Sequence, residues 1–309
     1  MVSPPVLPRS LIDFGRVFPD DEACRALLVS LRWPVGFVCS RCGGRTAWER
    51  QGRELFLCRS CRAETSVLAG TVLHRTRLRL RTWFLAAYLV ATTGGLNSIE
   101  LGRMLGIADQ ETNWLLLRRL RAAMAGGLRE PLQGEVEADE TYVGAPEHGG
   151  RGRPQSGSRR VTVLVLAEAG SARSRMRVVP DAKADTILPV IAALVAPGAT
   201  VTTDGLTSYL GLPALGFTHR RLPHPPGGMK AGSFHSTPHA DGAMSNFKRW
   251  VLATYHKPPA NLGPYLDEFC FRAEFSGRRD AAFGVLLGLL ARPTADASQA
   301  SSRILRAAT

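Results

Sequence analysis

The feature that most constrains this chain is Cys39-x2-Cys42-x15-Cys58-x2-Cys61, two close pairs of cysteines separated by a stretch long enough for a hairpin. Each pair can form a tight knuckle, and two facing knuckles present four sulfurs to one tetrahedral ion, as a structural zinc site requires. A disulfide framework fits poorly, because Cys24 and Cys270 stand alone and the paired cysteines lie too close together. A thioredoxin-like redox centre needs one pair inside a βαβ unit, not two pairs across a hairpin. Four thiolates leave no open coordination position, so the expected Zn²⁺ builds the fold and takes no part in catalysis. Residues 34–72 therefore read as a zinc ribbon, and residues 1–33 as a helical lead. In that lead Asp20 and Asp21 suit a helix start, and Ala23, Ala26, Leu27 and Leu31 supply apolar positions. Arg41, Arg45, Arg53, Arg59 and Arg62 lie around the knuckles, available to phosphates.

A ribbon of this size is a small part of a 309-residue chain that is 45% hydrophobic, enough for one large core and smaller modules. Lys and Arg number 39 against 26 Asp and Glu, a formal net charge of +13. That excess favours a polyanionic partner, nucleic acid ahead of a membrane surface, although a GC-rich gene also raises arginine usage. No segment approaches the roughly 20 apolar residues of a membrane span, and MVSPPVLPRSLIDF lacks an apolar leader core. No membrane partner is expected, and the location is expected to be the cytoplasm.

From residue 73 to 128 the spacing becomes helical: LRTWFLAAYLVA, a break at Thr93-Gly94-Gly95, SIELGRMLG, and ADQETNWLLLRRLRAAM. The last two segments fit a helix-turn-helix. Ile99, Leu101, Met104 and Leu105 would pack on Trp114, Leu115, Leu117 and Leu120. Gln110, Thr112, Asn113, Arg118 and Arg119 would face a DNA groove. An ordinary helical hairpin has the same pattern.

Gly126-Gly127 and Pro131 mark a boundary, and EVEADETYVG, VTVLVLA and RMRVV then read as strands. A helix over 182–196, a strand ATVTTDG, a Gly/Pro/His-rich crossing at 211–235 and helices around 240–253 and 261–275 complete an α/β domain placed at 132–292. A flexible tail follows at 293–309. Asp139 lies in a row with Glu135 and Glu137 on one face of its strand, Asp204 ends another strand, and Asp241 opens a helix that carries Lys248 seven residues on. Taken singly, Asp204 also fits a turn aspartate, Asp241 a helix cap and Lys248 a solvated lysine. Together the three carboxylates could hold two divalent metals for phosphodiester chemistry.

The segments CSRCGG, CRSCRAETSVLAGTVLHRTRLRLRTWFLAAYLVATT, EADETYVG, TTDGLTSY, FKRWVLATYHK and YLDEFCFR occur in this order from about residue 12 to about residue 280. In them the chain resembles bacterial DDE-type insertion-sequence transposases of the subgroup with an N-terminal zinc ribbon and a ribonuclease-H-like catalytic domain. The resemblance implies catalytic aspartates at Asp139, Asp204 and Asp241, and a basic residue, Lys248, on the helix of the third. Around that third position the family carries Glu, Asn or His, so His239 is the rival ligand. The implied activity uses Mg²⁺ or Mn²⁺ to cut at the element's terminal inverted repeats and join the freed 3′-hydroxyl to target DNA, by a homo-oligomer on double-stranded DNA. A catalytically dead DNA-binding relative, or a ribonuclease-H-like nuclease without strand transfer, are the alternatives. Tyr255, His256 and the Arg-rich segment 149–160 are further candidate DNA contacts.

Overall fold

The computed structural model describes residues 7–50, 55–144, 160–222, 237–256 and 261–293. These form two compact units, Met1–Ala123 with Arg278–Thr309, and Met124–Gly277. None of the described helices is long and apolar enough to cross a membrane.

The first unit opens with α1 (Leu11–Val17) and α2 (Asp21–Arg32). The lead is two helices because the chain breaks at Phe18-Pro19, where proline cannot continue a helix; Asp20 then caps α2 by accepting from the Ala23 N–H at 2.9 Å. The buried face of α2 carries Cys24, Arg25, Leu27 and Leu28, whereas Ala26 is exposed. A three-stranded antiparallel sheet follows, β1 (Ala47–Arg50), β2 (Leu55–Cys58) and β3 (Glu64–Ser66). It packs on α2 through Trp33, Phe37 and Phe56, with ring centroids 4.9–5.7 Å apart. The buried Arg25 adds an ion pair to Glu49 of β1.

The core of this unit is α3 (Leu80–Thr92), apolar on most of its circumference, with nine buried residues. Phe84 and Tyr88 of α3 meet Phe14, Phe18 and Phe283 in an aromatic cluster. Phe283 belongs to α9 (Arg279–Ala291), a helix that FGVLLGLLA announces but that the sequence pattern above passed over within the span to residue 292. It packs on α2 and α3; Phe283, Leu286, Leu287 and Leu290 are buried, each contributing about 1.5–3 kcal/mol.

Next come α4 (Ser98–Leu105) and α5 (Gln110–Gly127), joined by a short turn. Asn97 and Glu100 form a capping box at the start of α4, and Asp109 caps α5 through the Thr112 N–H at 2.9 Å. The expected packing face is rotated. Ile99, Met104 and Trp114 are exposed, while Asn113 is buried and donates to the Ile107 carbonyl at 3.0 Å. Gly102 sets this register, since a Cβ there would lie 2.1 Å from the Asn113 amide nitrogen. Arg119 also turns inward, toward the Val72 and His74 carbonyls. The exposed face of α5 presents Gln110, Glu111 and Trp114, with the half-buried Arg118 over the Trp114 ring.

The second unit is a mixed α/β fold of the ribonuclease-H-like type, built on β4 (Glu135–Val143), β5 (Val161–Glu168), β6 (Ser174–Val179), β7 (Thr200–Thr203) and β8 (Thr218–Arg221). Strand order is β6-β5-β4-β7-β8, antiparallel from β6 to β4 and parallel from β4 to β8. β5 is buried over VTVLVLAE because both sheet faces are covered. α6 (Ala184–Leu194) covers one face, where Val136, Ala138, Leu164, Leu166, Ile187, Ile191 and Val201 share a core. α7 (Pro238–Tyr255) packs on β4 and β5, and α8 (Gly263–Glu274) on β6. β8 lies inside the stretch expected to be an irregular crossing; THRR has the strand's hydrogen bonds but no apolar alternation to betray it.

Candidate functional site

The two cysteine pairs converge in the first unit. Cys39 and Cys61 sulfurs are 3.7 Å apart, Cys42 and Cys58 sulfurs 3.6 Å, and all four lie within 4.8 Å of one another. A tetrahedron with Zn–S bonds of about 2.3 Å has edges of about 3.8 Å, so the spacing fits a structural zinc ion. Backbone turns build the knuckles: Gly43 N–H donates to the Cys39 carbonyl, and Arg62 N–H to the Cys58 carbonyl. The N–H groups of Cys42 and Arg41 hold the Cys39 thiol below its ordinary value. Those of Cys61 and Ser60 hold Cys58 at about 6, readying both as thiolates.

The carboxylates gather in the second unit. β4 and β7 pair in parallel with Ala138 opposite Thr203, so the next residues, Asp139 and Asp204, emerge side by side on adjacent strands. Asp204 Oδ1 accepts from the Leu206 N–H at 2.8 Å, fixing the turn after β7. Asp139 accepts from the Thr237 hydroxyl at 2.9 Å and from the Glu140 N–H at 2.7 Å. Asp241 is exposed in the first turn of α7. Burial pushes the Asp139 carboxyl up to about 6, and the charges of Asp241 and Asp204 push the same way against the Thr237 and Glu140 hydrogen bonds. Among the described residues the four cysteines form a group of three or more ligand atoms within 4.8 Å of one another, and the three aspartates do not. A half-buried carboxylate under the charge of two others is one that a nearby hard divalent cation would stabilise in its ionised form.

Lys248 lies two turns along α7 and donates to the Thr141 hydroxyl at 2.9 Å. Burial lowers its ammonium below the ordinary value, as does Arg160, while Asp241 raises it. His239 is placed differently. Two residues from Asp241, and so about 200° around the helix, its Nδ1 lies 2.7 Å from Glu137 Oε1, and its ring borders a cavity of about 490 Å³ with Gly242, Ala243, Asn246 and Phe269.

Against known proteins, residues 131–274 match the family described as ISXO2-like transposase domain, and residues 19–64 the transposase zinc-ribbon domain. The chain carries an ISXO2-like transposase domain behind a transposase zinc ribbon. It is also 27% identical over 278 residues to a Halobacterium salinarum protein described as an uncharacterized protein in transposable element ISH50, spanning 84% of this chain and 92% of that one. That relative is archaeal, whereas the sequence resemblance was to bacterial elements.

Strand β4 carries, besides Asp139, a residue that sequence spacing left without a role. Glu137, buried on β4, accepts the His239 and Ala240 N–H groups with Oε2, at 2.6 and 3.0 Å, and meets His239 Nδ1 with Oε1. The N-cap residue Thr237 supplies no side-chain cap to α7, its hydroxyl being given to Asp139. Glu137 therefore does that work from a neighbouring strand, and its charge complements the helix dipole. Its place in the carboxylate row was visible; its partner, 102 residues away, was not. Glu137→Ala is expected to cost about 1–3 kcal/mol in urea unfolding, with Glu137→Gln recovering most of it because an amide oxygen still accepts both N–H groups.

Tyr209, fully buried, donates to Glu140 Oε2 at 2.7 Å and ties the segment after Asp204 to β4. Tyr255 packs edge-on against Trp250 and Tyr265, whereas His256, the C-cap of α7, is exposed. Of the Arg-rich segment only Arg160 is among the described residues, lying over Tyr142; Arg53 of the ribbon is outside them.

The raised Asp139 carboxyl predicts a pH dependence. Because the folded chain holds this proton more tightly than the unfolded chain, whose carboxyl titrates near 3.8, the contribution favours folding at low pH and is lost as pH rises through about 6. Without Mg²⁺ or Mn²⁺ the loss by pH 7 is up to about 3 kcal/mol. Zinc-loaded Asp139→Asn, free of Mg²⁺ and Mn²⁺, should therefore melt above the wild type at pH 7 and close to it at pH 4, by differential scanning calorimetry.

Proposed function

We propose that the chain is a DNA transposase that cuts the ends of its insertion sequence and joins them to target DNA, with Asp139, Asp204 and Asp241 holding Mg²⁺ or Mn²⁺. The observation that supports this best is the Asp139 carboxyl, half-buried on the central strand β4 and pressed upward by desolvation and by both other aspartates. Such a group is destabilising by itself and becomes favourable beside a cation. Bound metal would lower the pKa of the attacking oxygen and stabilise the departing one.

The remaining roles follow from this chain's own residues. Thr237 and the Glu140 N–H orient the Asp139 oxygens. The Tyr209–Glu140 bond steadies the segment that carries Asp204, and Glu137 fixes the start of α7, which carries Asp241. Lys248, held by Thr141, would meet phosphate charge from the same face of α7 as Asp241. The zinc ribbon and the α4–α5 pair are the proposed DNA-holding elements, the latter as a helix-turn-helix, and the protein is proposed to act as a homo-oligomer in the cytoplasm.

The test is Mg²⁺- or Mn²⁺-dependent cleavage and joining of the DNA that flanks the gene. Asp241→Asn should abolish both, while His239→Ala should retain them, since the His239 ring is engaged by Glu137. The opposite pattern would make His239 the third ligand. Cleavage without joining would leave a nuclease, and tight DNA binding without metal-dependent cutting a DNA-binding relic.

A further inference from the structure

Among the described residues the exposed tryptophans are Trp48 and Trp114, and arginines lie over both. Trp48, on β1, carries two: the Arg59 and Arg62 guanidiniums sit 5.0 and 4.7 Å from its ring centroid. Two like charges drawn to one ring gain from its π-face and repel each other, a balance that an anion would tip. Neither arginine forms an ion pair among the described residues, because the acids of this sheet are taken: Glu49 pairs with Arg25, and Glu64 with Arg50. Arg41 and Arg45 on the first knuckle are also exposed and form no ion pair among the described residues.

The backbone supplies an independent sign. The two knuckles make the same turn, and each places one residue in the left-handed region, Gly43 at φ 74° and Arg62 at φ 61°. Glycine adopts that conformation freely, whereas a residue with a side chain is strained in it. The second knuckle keeps an arginine where glycine would relieve the turn, and that arginine's guanidinium lies on Trp48. Strain retained at one exposed side chain points to a use for that side chain.

We propose that Trp48, Arg59 and Arg62 form a phosphate-gripping surface on the zinc ribbon that docks the backbone of duplex DNA. Trp48 is the platform that holds the two guanidiniums in advance. The inference rests on the functional reading above, which makes duplex DNA the partner. The guanidiniums already lie over the indole, so the site suits phosphate contact and not stacking of an unpaired base. Arg41 and Arg45 extend the positive charge along the knuckles.

The test uses the full-length, zinc-loaded protein and a labelled duplex of arbitrary sequence, with anisotropy read across a range of KCl concentrations. Arg59→Ala and Arg62→Ala should each reduce the slope of log affinity against log salt by about 0.9, the signature of one lost phosphate contact. Trp48→Leu should weaken binding about five-fold with the slope unchanged, and Trp48→Phe, which restores a ring, should recover most of that. Arg62→Gly should melt higher than wild type yet bind more weakly, which a merely structural arginine would not do. Variants that keep their zinc and the wild-type slope, in a protein that still binds duplex, overturn the surface alone. Loss of single-strand binding only, in Trp48→Leu, overturns it in favour of base stacking. A wild type that binds no duplex at any salt overturns the functional reading and this surface with it.

Discussion

Exchanging Asp204 for asparagine is expected to reduce metal-dependent cleavage of the flanking DNA at least about 10³-fold while shifting the melting temperature little. The contrast follows from what Asp204 does in the fold. Its side chain accepts from the Leu206 N–H at 2.8 Å, a bond that needs only an oxygen, and the asparagine amide provides one. What the exchange removes is a negative charge beside Asp139, placed there by the parallel register of β4 and β7. A fold that depended on the charge would lose stability with activity; a cation site loses activity alone. Gel-based cleavage and a thermal melt on the same preparation separate the two.

Stripping zinc, or replacing Cys58 with alanine, is expected to unfold the ribbon. Structural zinc in ribbon-sized segments is worth on the order of 10 kcal/mol, more than so short a sheet gains from burying Phe56 and its neighbours. The loss should spread to α2, because Arg25 reaches Glu49 and Arg32 reaches the Val67 and Ala69 carbonyls across the same contact. Trp33 and Trp48 fluorescence, followed during chelation by EDTA and restored by added Zn²⁺, reports the change. An unchanged spectrum after complete zinc removal would mean that the aromatic contacts of Trp33, Phe37 and Phe56 suffice.

Local chemistry is what the sequence declares most openly. The ribbon is legible because four thiolates at fixed short spacing have few other uses, and β5 because VTVLVLAE suits a strand buried on both faces. The order of elements through the second unit is legible for the same reason, from period and punctuation. Long-range choices are less so. Which face of α5 turns inward is decided by Gly102 meeting Asn113, and no count of apolar residues reveals that a buried asparagine replaces the expected tryptophan. β8 escapes because an edge strand with exposed arginines lacks alternation, and α9 because it packs in the first unit although the second unit precedes it in the chain. At the carboxylate site, aspartates and spacing could be read off, but the pairings that orient them could not. Glu137 with the start of α7, Thr237 with Asp139 and Tyr209 with Glu140 each join residues 69 to 103 positions apart.

Whether Asp139, Asp204 and Asp241 form one cation site can be read from Mn²⁺ titration of the zinc-loaded, full-length protein by electron paramagnetic resonance. A shared site gives saturable Mn²⁺ binding at pH 7 that Mg²⁺ displaces, that weakens as pH falls below about 6 where Asp139 takes up its proton, and that is lost in Asp139→Asn. Equal Mn²⁺ binding by wild type and Asp139→Asn, or none by either, would contradict it.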